Sequence, residues 1–168
     1  MSDEPLEKAV WTDGDFDTMG WHDARVHAIA FHEDEHNAEL LLDLDYIVRW
    51  IDPEPPAEHF TFLVAPATLV FETVWNLDGE LGTASRTLLQ AQDIHRRDPE
   101  NDRQREMGLQ PWVVEWSHGH ELTMLASGFR QHFRRRPVLV ASQRLELDER
   151  GGISFDQPLD FLSPSSPS

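Results

Sequence analysis

The sequence predicts a mainly β protein, an antiparallel sandwich or partly open barrel of about seven to nine strands with little helix. An α+β roll is the alternative architecture. Three observations carry this. Residues 59–75, HFTFLVAPATLVFETVW, form the most apolar run and alternate with period two in β-branched and aromatic residues. Residues 38–51, AELLLDLDYIVRWI, alternate cleanly as well. The stretches between such segments are short and polar, which suits hairpins and not parallel crossovers.

Taken in order, residues 1–20 are acidic, with Asp13, Asp15 and Asp17 around Gly14, and read as a poorly ordered arm that Trp11 and Phe16 could pin to the body. A single β domain is expected over residues 21–156. Residues 21–31, WHDARVHAIAF, place Trp21, Asp23, Arg25, His27, Ile29 and Phe31 on one strand face and small residues on the other. HEDEHN, 32–37, is a polar link to the next strand. There Leu40, Leu42, Leu44, Tyr46, Val48 and Trp50 share one face, and Leu41, Asp43, Asp45, Ile47 and Arg49 the other. A helix over 38–51 would scatter Asp43 and Asp45 among leucines.

DPEPPAE, 52–58, ends that hairpin. In the apolar run Pro66 cannot donate to a ladder, so two short strands or one bulged strand are expected. Its two apolar faces predict a central place in the sheet. Residues 76–85 are turn-rich, and residues 86–97 fit a short helix or a strand, with strand favoured. Asp98-Pro99 and Gly108 bracket a short surface helical turn. Residues 111–117 and 121–133 flank HGH as a second hairpin with Gly119 at its tip, and Gly128 marks a bulge or close approach. A strand is expected over 138–147, with DERGG as its turn and a short final strand at 153–155. Residues 157–168 are rich in Ser and Pro and read as a disordered tail.

With no cysteine in 168 residues, disulfides, thiol nucleophiles and cysteine-ligated metals are excluded. No run approaches the roughly 18 apolar residues of a membrane-spanning helix, and the acidic opening MSDEPLEKAV does not suit a secretory signal. A cytoplasmic location is expected. Net charge is −17. Residues 1–60 hold 16 acids and 3 bases, so −13 of it lies there. Such a field repels nucleic acid and anionic lipid and attracts a basic protein, although it also serves solubility alone. Monomer and homodimer are both open.

Few residues carry a chemical motif. His32-Glu33-Asp34-Glu35-His36 matches H-E-x-x-H, but zinc-peptidase chemistry needs the two histidines one turn apart on a helix, and these lie between alternating segments. His118 and His120 could chelate a metal at a hairpin tip, though exposed histidines there are the simpler reading. Asp43 and Asp45 are neighbours on one strand face. Two carboxylates sharing a site suit acid–base catalysis, but with Ile47, Arg25 and Arg49 nearby a half-solvated, salt-bridged face is favoured. Arg134-Arg135-Arg136 reads as a solvated loop offsetting the acidic half. The six tryptophans are read first as core and second as a stacking surface for ligands. No catalytic residue and no cofactor is assigned.

WHDARVHAIAF at 21–31, LLLDLDYIVRW at 40–50, APATLVFETV at 65–74 and RGGISF at 150–155 resemble a family of small, uncharacterised bacterial proteins. These in turn resemble immunity proteins of bacterial toxin systems in size and acidity. The resemblance implies no catalytic residue.

The favoured reading is a non-enzymatic binding protein, an immunity-like inhibitor of a cationic partner. His22, Asp23, Asp43, Asp45 and Arg49 are its candidate contacts. A metal-dependent hydrolase using His22, His32, His36, His118 or His120 is the second. A small-molecule binder with an interior lined by Phe60, Phe62, Trp75 and Trp116 is the third.

Overall fold

The computed structural model describes residues 6–82 and 89–160. Its strands are β1 (Val10–Thr12), β2 (Ala24–Glu33), β3 (Ala38–Ile51), β4 (Thr61–Glu72), β5 (Trp75–Gly79), β6 (Gln90–Arg96), β7 (Gln110–Trp116), β8 (Glu121–Ala126), β9 (Gly128–Phe133) and β10 (Val138–Val140). Two short helices, α1 (Asp102–Glu106) and α2 (Leu147–Arg150), and a 3-10 turn, Asp13–Thr18, complete the described elements. All ten strands join one antiparallel sheet in the order β1-β9-β4-β3-β2-β6-β7-β8-β5, with β10 also on β4. The protein is mainly β as expected, and the sheet does not close into a barrel.

The sheet curls over onto itself. Phe71 of β4 and Trp112 of β7 are separated by three intervening strands, yet their ring centroids lie 5.8 Å apart. Leu40, Leu42 and Leu44 of β3 and Val114, Leu122 and Met124 of β7 and β8 belong to the same buried core. Trp21, Trp112, Trp116, Phe71, Phe129 and Phe133 are the largest apolar side chains buried there. Each contributes on the order of 2–3 kcal/mol through the area it removes from water. The polar end of Trp21 is satisfied too, because its Nε1 donates to Gln131 Oε1 at 2.8 Å.

The long strands follow the alternation, with two exceptions of backbone origin. A bulge at His27 lets Val26 oppose Leu44 and Ala28 oppose Asp43. The extra residue reverses the face parity beyond it. Ile29 therefore packs against the core and does not share a face with Arg25. A second irregularity, at Val48, brings Trp50 opposite Phe62 on the Asp45 face, away from the leucines.

Pro66 interrupts nothing: β4 runs unbroken through it. Its carbonyl accepts the Arg134 N–H at 2.9 Å, and in a strand a residue's N and O point to the same side. The missing donor thus faces the gap where β4 passes from its partner β9, at Ala67, to its partner β10, at Val64.

Several other expectations change. Residues 6–20 are not an arm. Val10–Thr12 pairs with the β9 edge, and Phe16 packs against Trp21, Trp112 and Phe129. Residues 121–133 are two strands, because the chain turns at Ser127 from β8 to β9. Residues 90–96 are strand, and the surface helical turn forms at Asp102–Glu106 with Asn101 as its cap. The strand expected over 138–147 stops at Val140, and residues 153–155 are irregular. The start of the expected tail is docked, since Arg130 bonds Gln157 Oε1 and His132 Nδ1 bonds the Pro158 carbonyl. The remainder, 161–168, lies outside the described residues, as does 83–88.

Candidate functional site

Asp43 and Asp45 lie on the face of β3 that looks away from the main core, and both are 0% exposed. The segment after β10 covers them. Arg150 reaches Asp43 through Nη1 to Oδ2 at 2.9 Å and Nη2 to Oδ1 at 2.5 Å, and Asp45 Oδ1 through Nε at 3.0 Å. Arg134 donates to Asp43 Oδ1 at 2.6 Å and to Thr68 Oγ1 at 2.9 Å. The Ser154 N–H closes on Asp43 Oδ2 and the Leu145 N–H on Asp45 Oδ2, each at 3.0 Å. His27 Nε2 sits 2.8 Å from Asp45 Oδ2.

Each carboxylate therefore faces a guanidinium and backbone donors rather than the other carboxylate. Burial alone would raise the Asp45 carboxyl, but His27, the Leu145 N–H and the Arg150 charge hold it below its ordinary value. Burial would likewise depress Arg150, and the two aspartates raise it instead. This is a latch for the C-terminal segment. The Thr68 hydroxyl donates to the Asp156 carbonyl at 2.7 Å, so it is also committed to holding that segment.

The candidate partner contacts are thus divided. Asp43 and Asp45 are enclosed and do not reach a partner. The salt-bridged reading of them holds, but their arginines are Arg134 and Arg150, not Arg25 and Arg49, and the cluster is buried rather than half-solvated. Arg134, read as part of a solvated loop, is 7% exposed at its side chain. His22 and Arg49 are exposed, and Asp23 is half-buried. The His22 ring stacks on Trp50, with centroids 6.0 Å apart, and Asp23 Oδ2 accepts Gln143 Nε2 at 2.7 Å.

The histidine motifs do not assemble. His32 belongs to β2, and residues 34–37 are the turn to β3, so no helix places His32 and His36 one turn apart. His118 bonds the Leu81 carbonyl and His120 pairs with Glu80 at 3.0 Å. Among the described residues no three His, Asp or Glu side chains group as metal ligands. Phe60 and Trp75 are 45% and 52% exposed, Phe62 sits in a small second cluster with Ile47, Val64 and Leu145, and Trp116 is in the main core. These four therefore line no common interior.

A different surface stands out at the tip of the β2–β3 hairpin. Asp34 Oδ1 accepts the N–H groups of His36 at 2.8 Å and Asn37 at 2.9 Å, which fixes the turn. Those bonds hold the Asp34 carboxyl below its ordinary value. Asn37 Oδ1 accepts the Thr73 N–H at 3.2 Å, pinning the tip to the end of β4. Thr73 and Asn76 both have φ +53°, a left-handed conformation that turns the chain and throws Trp75 outward. The result is a cleft of about 290 Å³ between Glu33, Asp34 and Glu35 on one wall and Thr73, Val74 and Trp75 on the other. Phe31, 71% exposed, lies on the same hairpin. The acids of HEDEHN were visible in the sequence; the exposure of Trp75 was not, because it continues the alternation of residues 59–75 and is read first as core.

Comparison with family models, curated proteins and solved structures finds no match to this chain. No helix among the described residues is long and apolar enough to cross a membrane.

Proposed function

We propose that the protein is a non-enzymatic binding protein that takes a basic partner protein at the tip of the β2–β3 hairpin, as an immunity-type inhibitor would. One observation carries this reading: the exposed carboxylates of Glu33 and Glu35 share a cleft with the half-exposed indole of Trp75. An arginine or lysine entering there would meet carboxylates and an aromatic face together. Charge-assisted hydrogen bonds and cation–π attraction then act on the same group. Tryptophan is also among the residues enriched at binding hot spots. The −13 balance of residues 1–60 supplies the long-range attraction that speeds encounter.

An arginine-rich peptide is the probe, with fluorescence as the readout. Binding should quench emission in the wild type but not in Trp75→Phe, and should weaken as salt rises. Glu33→Gln with Glu35→Gln should weaken it by about tenfold or more, equivalent to about 1.4 kcal/mol. Neutralising Glu54 and Glu58 to Gln should cost much less, because they are acids of the same half outside the cleft. Equal losses from the two pairs would reduce the effect to net charge and overturn the site.

A further inference from the structure

At the opposite end of the same hairpin, Arg25 lies in an environment that its neighbours do not complete. It stands across from Asp45 in the β2–β3 register, on the latch side of the sheet. Asp45 has little left to offer it. Oδ1 takes Arg150, and Oδ2 takes the Leu145 N–H and lies against His27. Arg25 Nε and Nη1 are buried and have no hydrogen-bond partner. Leaving charged donors unsatisfied is costly, so such a group in a folded protein calls for an explanation.

A second cation stands beside it. Burial lowers the Arg25 pKa, and the next largest influence in that direction is the like charge of Arg144. Arg25 and Arg144 share one opening in a protein of net charge −17. They line an open cleft of about 370 Å³ with Gln90, Ser142, Gln143 and Asp23. Among the described residues, Asp23 is the one carboxylate on its wall. Its Oδ2 takes Gln143 Nε2 at 2.7 Å and lies 3.5 Å from His22 Nε2, so it does not bridge the arginines. The Gln90 amide is spent on the Asp23 carbonyl, and the Ser142 hydroxyl on the Arg144 carbonyl.

We propose that this cleft binds a small molecule through one oxyanion group, a carboxylate or a phosphate, held between Arg25 and Arg144. A carboxylate or a phosphate offers paired oxygen acceptors that match a guanidinium fork, and its charge relieves the repulsion between the two cations. The Nε and Nη1 groups of Arg25 are tied to nothing, so the guanidinium can turn its fork toward the cleft without breaking a bond at either. The cleft volume suits a ligand of small-metabolite size. This site is independent of the acidic tip. Glu33 lies eight residues further along β2, roughly 25 Å away at strand rise.

The test uses the full chain and two probes, inorganic phosphate and succinate, each against sodium chloride at equal ionic strength. The readout is the Nε–Hε NMR signal of Arg25, assigned by its loss in Arg25→Lys. A saturable shift with phosphate identifies a phosphate-type ligand, and a saturable shift with succinate a carboxylate; either supports the site. Arg144→Gln changes an exposed residue, and it should weaken the same titration by about tenfold. Shifts that chloride reproduces, or a titration unchanged in Arg144→Gln, would overturn the proposal. Should Arg25→Lys fail to fold, thermal midpoints of wild type and Arg144→Gln with each probe take its place. A rise beyond that in chloride, larger in the wild type, supports the site, and equal behaviour of the two proteins overturns it.

Discussion

Arg150 and Asp43, 107 residues apart in the chain, face each other as a fully buried two-bond pair, with Nη2 2.5 Å from Oδ1 and Nη1 2.9 Å from Oδ2. The pair joins the middle of β3 to the last helical turn, and Asp45 and Arg134 complete it. Two carboxylates and two guanidinium groups balance, which is the condition for keeping four charges out of water.

Removing one member should therefore cost far more than an ordinary surface ion pair. Arg150→Met is expected to lower unfolding free energy by about 3–5 kcal/mol, because Asp43 and Asp45 remain buried with one cation fewer. Urea unfolding measures it. Asp43→Asn combined with Arg150→Met should cost less than the sum of the two single changes, which a double-mutant cycle reads directly.

The same cluster sets the acid limb of stability. The folded-state pKa of Asp45 lies below its ordinary value of 3.8. Its contribution is thus fully present above that value and is lost as pH falls through the depressed one. Thermal midpoints followed downward from about pH 5 should fall less steeply in Asp45→Asn than in the wild type, from a lower starting value.

His132 adds a second pH dependence at milder acidity. Burial lowers its pKa below 6.5, and the Arg130 charge helps, while the Pro158 carbonyl and Glu72 oppose. Nδ1 bonds the Pro158 carbonyl at 3.0 Å and Nε2 is buried without a partner, so protonation would place a proton where no acceptor waits. The unfolded chain takes that proton first. Stability from this group is complete above 6.5 and declines below it, toward the depressed value. His132→Gln should flatten the stability profile just below pH 6.5, measured by denaturant titration.

Gly128 sits at the corner where β8 gives way to β9, and a Cβ there would fall on the Asp13 carboxylate. Gly128→Val should cost about 1–3 kcal/mol through this overlap. Asp13→Ala in the same chain should recover much of the loss if the carboxylate is the obstacle. Thermal unfolding of the single and double variants distinguishes the two cases.

Much of the fold was legible because it rests on local alternation. Residues 38–51 form β3 with the expected bounds, since the leucines and the aspartates repeat with the pleat. Two features hid from that reading. The irregularities at His27 and Val48 shift one residue against the partner strand, and a single sequence does not show what stands opposite. Trp75 continues the period of β4 in sequence, but the backbone turns at Thr73 before reaching it. Of the candidate contacts, His22 and Arg49 reached the surface, and Asp23 did so in part. Asp43 and Asp45 did not, because the residues that enclose them come from the far end of the chain.

The amino-acid order alone determined an antiparallel β architecture, its principal strands and a negative leading half, because side-chain period and charge are properties of neighbours. The tertiary structure decided which carboxylates are sealed and which are open, where Trp75 emerges, and that Arg25 and Arg144 line one cleft. Those outcomes depend on contacts between distant segments and on bulges that change a strand's facing. Burial and pairing of a charge are set by what folds over it.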